Sequence, residues 1–162
     1  MQHTQHTPTP GTEPSRREPD GPEPVVQLTD TPAEEDLARI AAALDEFNVA
    51  ETGVDDRRPL AVLVKDPGTG RVLGGMSGHT SLGLLFVESF HLPDELRGSG
   101  FGTAVLRAAE DEARRRGCRN AVLYTLSFQA PGFYEKHGWQ VFGDVPCEPP
   151  GTSRVFMTKA LT

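Results

Sequence analysis

Arg97-Gly98-Ser99-Gly100-Phe101-Gly102 is the stretch on which the reading of this chain turns. Before it, residues 84–92 form a long apolar run broken by Glu88, the pattern of a buried strand. After it, Phe101, Val105, Ala109 and Ala113 recur at steps of four, which predicts a helix from about Gly100 to Arg116. The hexapeptide is therefore a glycine-dense connection from strand to helix. In that setting the backbone can approach a ligand closely, and the helix start adds about half a positive charge that favours phosphate. A tight connection with no ligand has the same composition. Two nucleotide signatures fail here. Gly98 and Gly100 begin a GxGxxG, but its third glycine falls on Thr103, and no Gly-Lys-Ser or Gly-Lys-Thr tripeptide occurs in the chain. What remains is Arg-x-x-Gly-x-Gly.

Working outward, Arg114, Arg115 and Arg116 suit the negative end of the 100–116 helix and Gly117 its left-handed stop, with Glu110, Asp111 and Glu112 toward solvent. Residues 121–126 predict a strand, 131–137 a short helix ended by Gly138, and 139–142 and 154–158 two final strands. Upstream, Leu60–Val64 and Arg71–Thr80 read as a hairpin around Asp66-Pro67-Gly68-Thr69-Gly70, with Gly74, Gly75 and Gly78 marking a bulge or a close approach. Thr31, Pro32 and Glu34 have the form of a capping box opening a helix with Leu37, Ile40, Ala41 and Leu44 at helical spacing, which frays near Asn48 to Gly53. Val25–Leu28 is a short strand candidate. The order predicts an α/β fold: a mixed, mostly antiparallel sheet flanked by helices, with a parallel crossover between residues 84–92 and 119–126.

A second block supports the first. Ser127-Phe128-Gln129-Ala130-Pro131-Gly132-Phe133-Tyr134-Glu135-Lys136-His137-Gly138-Trp139 resembles Asn-x-x-Ala-x-x-x-Tyr-x-x-x-Gly-Phe, and Arg97 to Gly102 resembles Gln/Arg-x-x-Gly-x-Gly/Ala. Both are signatures of the GNAT superfamily of acyl-CoA N-acyltransferases. They stand one helix and one strand apart, as in that family, and the resemblance covers roughly residues 25 to 160.

The resemblance implies direct transfer of acetyl from acetyl-CoA to a primary amine. It implies that backbone N–H groups of Gly98, Ser99, Gly100, Phe101, Gly102 and Thr103, with Arg97 opening the motif, hold the pyrophosphate. Backbone groups of Phe90, His91 and Leu92 would pair with pantetheine where the strands at 84–92 and 119–126 splay apart. Tyr134 would protonate the leaving thiolate, a nearly balanced transfer for an ordinary phenol. Ser127 stands where the family often has Asn and would make a shorter-reaching contact to pantetheine. Lys136 and the Arg114–Arg116 cluster are candidates for the 3′-phosphate, the cluster being equally readable as a solvated face.

The attacking amine must lose a proton. Glu88 is the candidate base: alternation places it on the face of Phe90 and Leu92, where a carboxylate would be desolvated. An ion pair with a neighbouring strand is the competing reading. His91, pointing to the opposite face, is a weaker candidate base, and His79, on the preceding strand, is a candidate to line the acceptor cleft. Acceptor specificity is expected around residues 45–58, 74–83 and 145–153. A CoA-binding sensor or scaffold without turnover is the alternative function.

Composition bounds the rest. The first 24 residues hold six of the 14 prolines and no Leu, Ile, Val or Phe, which predicts a disordered tail ahead of one domain over residues 25–162. The tail has no apolar core of a signal peptide, and no run approaches a membrane span. The net charge is −7, of which −5 lies beyond residue 24. An acidic domain is a poor binder of nucleic acid and suits a cationic acceptor, a small-molecule or peptide amine. Cys118 and Cys147 have no metal-ligand spacing and read as free thiols of a cytoplasmic protein, with no metal required. A homodimer is compatible with all of this.

Overall fold

The computed structural model describes residues 21–162; the expected tail, up to residue 20, lies outside the described residues. The chain divides into two units, one ending at Ala43 and the other spanning Leu44–Thr162. Helix α1, Glu34–Thr52, runs through that boundary.

In the first unit, Val25, Val26 and Leu28 are almost fully exposed and belong to no strand, contrary to expectation. A strand exists only through its pairing, and four residues of suitable composition do not supply a partner. The capping box does not form either. The Thr29 hydroxyl accepts from the Thr31 backbone N–H at 3.1 Å and lies 3.3 Å from the Thr31 hydroxyl. This local turn competes with capping. The first helical turn closes instead on the carbonyl of Ala33.

The second unit is built on a six-stranded sheet in the order β1-β2-β3-β4-β6-β5. Its strands are β1 Arg58–Lys65, β2 Val72–Ser81, β3 Leu84–His91, β4 Asn120–Leu126, β5 Gln140–Cys147 and β6 Thr152–Ala160. Helix α2 is Phe101–Arg115 and helix α3 is Pro131–Lys136. All neighbours are antiparallel except β3 and β4, the expected crossover. At the β1–β2 turn, Asp66 Oδ1 accepts the backbone N–H groups of Gly68 and Thr69, both at 2.8 Å. These bonds hold its carboxyl below the usual range.

One face of the sheet packs on α2. Leu60, Met76, Leu85, Val87, Ala121, Leu123, Val155 and Met157 meet Val105, Leu106, Ala109 and Ala113 in one buried cluster. Fully burying a leucine such as Leu85 or Leu106 contributes roughly 1.5–3 kcal/mol. Glu110 belongs to this buried face, not to solvent as expected. It follows Leu106 by four residues, one helical turn. Its carboxylate accepts from Trp139 Nε1 at 3.1 Å and from Lys159 Nζ at 2.7 Å. Arg114, Arg115 and Arg116 pair with carboxylates of their own helix, and Arg116 also reaches the carbonyl of Pro59 and the hydroxyl of Thr80.

The register of β2 on β3 breaks at Glu88. Ser77 pairs with Ser89 and Gly78 with Val87, so Glu88 is the extra residue of a β-bulge. Gly78 permits this approach: a Cβ there would stand 1.9 Å from the carbonyl oxygen of Phe86. The bulge also overturns the expected alternation. Phe90 pairs with buried Met76 and so lies on the core face, whereas Glu88 bonds to His79, whose ring stacks on Phe86 on the other face.

Candidate active site

The parallel pairing of β3 with β4 covers only Leu84–Val87 against Asn120–Leu123. Beyond it the strands part, and an open cleft of about 1050 Å³ runs between Glu88–Leu92 and Tyr124–Leu126 to the turn that opens α2. Of the residues singled out from sequence, the cleft is lined by Glu88, Phe90, His91, Leu92, Arg97, Gly98, Gly100, Gly102, Thr103 and Tyr134. Ser99, Phe101, Ser127 and Lys136 are not among its lining residues, nor is His79.

Two glycines set the shape of the turn. Gly98 and Gly100 have φ of +74° and +88°, a conformation in which a side chain is strained, and a Cβ at either would meet nothing within 4 Å. The first helical bond runs from Ala104 N–H to the Gly100 carbonyl at 3.0 Å. The N–H groups that precede Ala104 therefore lack helical acceptors and are free to face a ligand. Arg97 braces the turn from within, donating from Nε to the Leu92 carbonyl at 2.9 Å and pairing with Asp94 at 2.9 Å. Gly102 has a different task. A Cβ there would stand 3.3 Å from the ring of Phe133, so its absence lets α2 and α3 close together. Thr103 links the same helices. His137 Nδ1 donates to the Phe133 carbonyl at 2.8 Å, which leaves Nε2 to accept the Thr103 hydroxyl at 3.0 Å.

Tyr134 is buried against Phe90, Phe133 and Trp139. Its hydroxyl makes no hydrogen bond to another described residue. Desolvation pushes its pKa up to about 12. The phenol thus keeps its proton at neutral pH but is a weaker acid than the ordinary phenol assumed from sequence. Glu88 is half exposed rather than desolvated, with its Oε1 2.5 Å from His79 Nδ1.

Ser127 departs from expectation. Its hydroxyl accepts the Ser153 backbone N–H at 3.1 Å, and its own N–H bonds the Ser153 carbonyl. Gln129, two residues on, lines the cleft instead. Its Oε1 accepts from the Thr125 hydroxyl and the Leu126 N–H, both at 3.0 Å. Because a backbone N–H can only donate, the amide orientation is fixed and the side-chain NH₂ is left to donate. Tyr124 and Arg154, whose guanidinium lies 5.3 Å from the Tyr124 ring centre, also line the cleft and were not singled out from sequence. Among the described residues, no cluster of three or more His, Cys, Asp or Glu is placed to hold a metal ion, and no helix is long and apolar enough to cross a membrane.

Parallel strands splayed beside a glycine turn with free N–H groups form the architecture of an enzyme that takes an acyl group from coenzyme A. Comparison with known proteins agrees. Residues 23–139 match the acetyltransferase (GNAT) family model. An acetyltransferase of Agrobacterium fabrum, Atu2258, is 33% identical over 132 residues, covering 82% of this chain and 96% of that protein. The blasticidin-S acetyltransferase of Streptomyces morookaense is 32% identical over 133 residues, 77% of this chain and 98% of that protein. The crystal structure of an acetyltransferase from Agrobacterium tumefaciens superposes with a TM-score of 0.77 at 32% identity, over 84% of this chain and 98% of that one. The chain belongs to the GNAT family and is an acyl-CoA-dependent acetyltransferase. Acetyl-CoA is the co-substrate of that family.

Proposed function

We propose that this enzyme transfers the acetyl group of acetyl-CoA directly to the primary amine of a small molecule. The observation that carries the reading is the cleft itself, which is lined by Glu88, by Tyr134 and, from the glycine turn, by Gly98, Gly100, Gly102 and Thr103. The turn binds the pyrophosphate through its free N–H groups, and the unpaired edges of β3 and β4 align the pantetheine arm. The Gln129 amide donates a hydrogen bond where the family's Asn would. Coenzyme A supplies an activated thioester. The amine nitrogen forms a bond to the thioester carbon as the carbon–sulfur bond breaks. Glu88, directly or through one water, takes the proton that the ammonium must lose before attack; Tyr134 gives its proton to the departing sulfur, and the second proton, shed by the nitrogen as the amide forms, passes through solvent to restore the phenol.

A small-molecule acceptor is supported by the relative named for blasticidin S, matched over almost its whole length. A cationic acceptor also suits Glu88 and an acidic domain. The test is calorimetry with acetyl-CoA, followed by thiol release with blasticidin S, spermidine and a lysine methyl ester. Micromolar binding and amine-dependent release are expected. Failure of a folded sample to bind acetyl-CoA would refute the reading.

A further inference from the structure

We propose that Arg57 and His79 are positioning residues for Glu88: Arg57 locks His79 in the Nδ1–H tautomer, and that N–H aims the Glu88 carboxylate into the cleft. The inference rests on Glu88 being the base in the reading above.

The geometry is a chain of three contacts on one side of the sheet. Arg57 Nε lies 3.8 Å from Asp45 Oδ2, Arg57 Nη1 lies 3.1 Å from His79 Nε2, and His79 Nδ1 lies 2.5 Å from Glu88 Oε1. An arginine only donates hydrogen bonds. His79 Nε2 must therefore accept, which places the imidazole proton on Nδ1, from which it is donated to Glu88. A flip of the ring about Cβ–Cγ would put carbons where Nδ1 and Nε2 stand and lose both contacts, and stacking holds the ring plane. The ring lies flat on Phe86, with centroids 4.6 Å apart and planes within 10°. The two residues are also register partners of β2 and β3.

Two consequences follow. First, His79 has no free lone pair. Its only acceptor nitrogen is occupied by Arg57, so within this chain of contacts it is Glu88 that can take a proton. Second, the bulge alone would leave a glutamate at the cleft edge with free rotamers. Fixing Oε1 on His79 restricts the side chain and leaves Oε2 for the acceptor's proton. Orientation of this kind is how a third group serves a base in other acid–base sites.

The test has a spectroscopic arm and a kinetic arm, both on the full chain. In ¹⁵N-histidine spectra, the resonance lost in His79→Asn should carry the pattern of the Nδ1–H tautomer, and Arg57→Met should convert it to a tautomer mixture. Kinetics use acetyl-CoA with whichever of the three amines named above turns over. Asparagine carries its amide nitrogen where histidine carries Nδ1, whereas glutamine reaches toward Nε2. His79→Asn should hold kcat within about threefold, while His79→Gln and His79→Leu lose about tenfold or more, with acetyl-CoA affinity unchanged in all three. An Nε2–H tautomer, or equal losses in the Asn, Gln and Leu variants, overturns the proposal. A fully active Glu88→Gln enzyme overturns the base reading and this one with it. An inactive Glu88→Gln beside a fully active His79→Leu removes only the positioning role.

Discussion

Gly102 sits against the ring of Phe133 so closely that a Cβ would lie 3.3 Å from both Cε2 and Cζ. The contact seats the start of α2, where the glycine turn lies, against α3, which carries Tyr134. Gly102→Val forces the helices apart, because the branched side chain has no room to move away from an aromatic ring that is itself packed on Phe90. Overpacking of this kind costs about 1–3 kcal/mol. At Gly100 an added Cβ would meet no atom within 4 Å, but a valine there must hold φ near +88°. Gly100→Val should keep most of the fold and lose acetyl-CoA affinity by at least about thirtyfold, from side-chain bulk placed where the phosphates approach. Thermal melts and calorimetry on the two variants separate packing loss from binding loss; normal acetyl-CoA affinity in Gly100→Val would contradict the pyrophosphate assignment.

Gln129 offers a sharper probe of cofactor binding. With Oε1 held by Thr125 and Leu126, its NH₂ is the free donor on that wall of the cleft. Gln129→Leu should raise the acetyl-CoA Kd by about three- to tenfold, the loss of one neutral hydrogen bond, and Ser127→Ala should change it little. The reverse ranking in a calorimetric titration would restore the contact to Ser127.

Much of this arrangement was legible in the sequence, and the exceptions share a cause. The turn at Arg97–Gly102, the α2 periodicity and the parallel crossover are local or nearly so, and the structure has them where the sequence placed them. The bulge at Glu88 is not local. It depends on which residue of β2 stands opposite, and alternation read along one strand assumes an unbroken register. Glu110 looked solvated among acidic neighbours because its partners, Trp139 and Lys159, arrive 29 and 49 residues later in the chain. Val25–Leu28 had strand composition without a strand to pair with. Gln129 carried a usable signal, lying two residues past the position where the family's Asn was sought, but only its bonds to Thr125 and Leu126 show which end of the amide is free. Nothing in the sequence marked Arg154.

The Glu110 cluster predicts a large stability effect. Its carboxylate is buried, and Lys159 is mostly so. Glu110→Ala strands the Lys159 ammonium and the Trp139 N–H together, and removal of one member of a buried pair costs about 3–5 kcal/mol. Removing both charges avoids the uncompensated ion, so the double variant Glu110→Ala with Lys159→Met should be more stable than Glu110→Ala alone. Denaturant midpoints measure both; a single variant within about 1 kcal/mol of wild type would show that the charges are solvated.

Tyr134 links stability and catalysis through one proton. Burial favours its neutral form, so the folded pKa of about 12 lies above the unfolded value near 10. The sign follows. Below pH 10 the phenol is protonated in both states and the full contribution is present. Above pH 10 the unfolded chain gains by ionising first, and stability is lost until the folded protein also ionises near pH 12. Two pKa units correspond to roughly 2–3 kcal/mol, which wild type should lose between pH 10 and 12 in excess of Tyr134→Phe. At neutral pH the same variant should keep acetyl-CoA affinity, since no hydrogen bond of the hydroxyl to a described residue is lost. Its kcat should fall by about 10²–10⁴, the usual worth of a proton donor in position. Urea titrations across that pH window, paired with kcat at pH 7, test both halves. An excess loss with unchanged kcat would keep the buried phenol and take the acid role away from it.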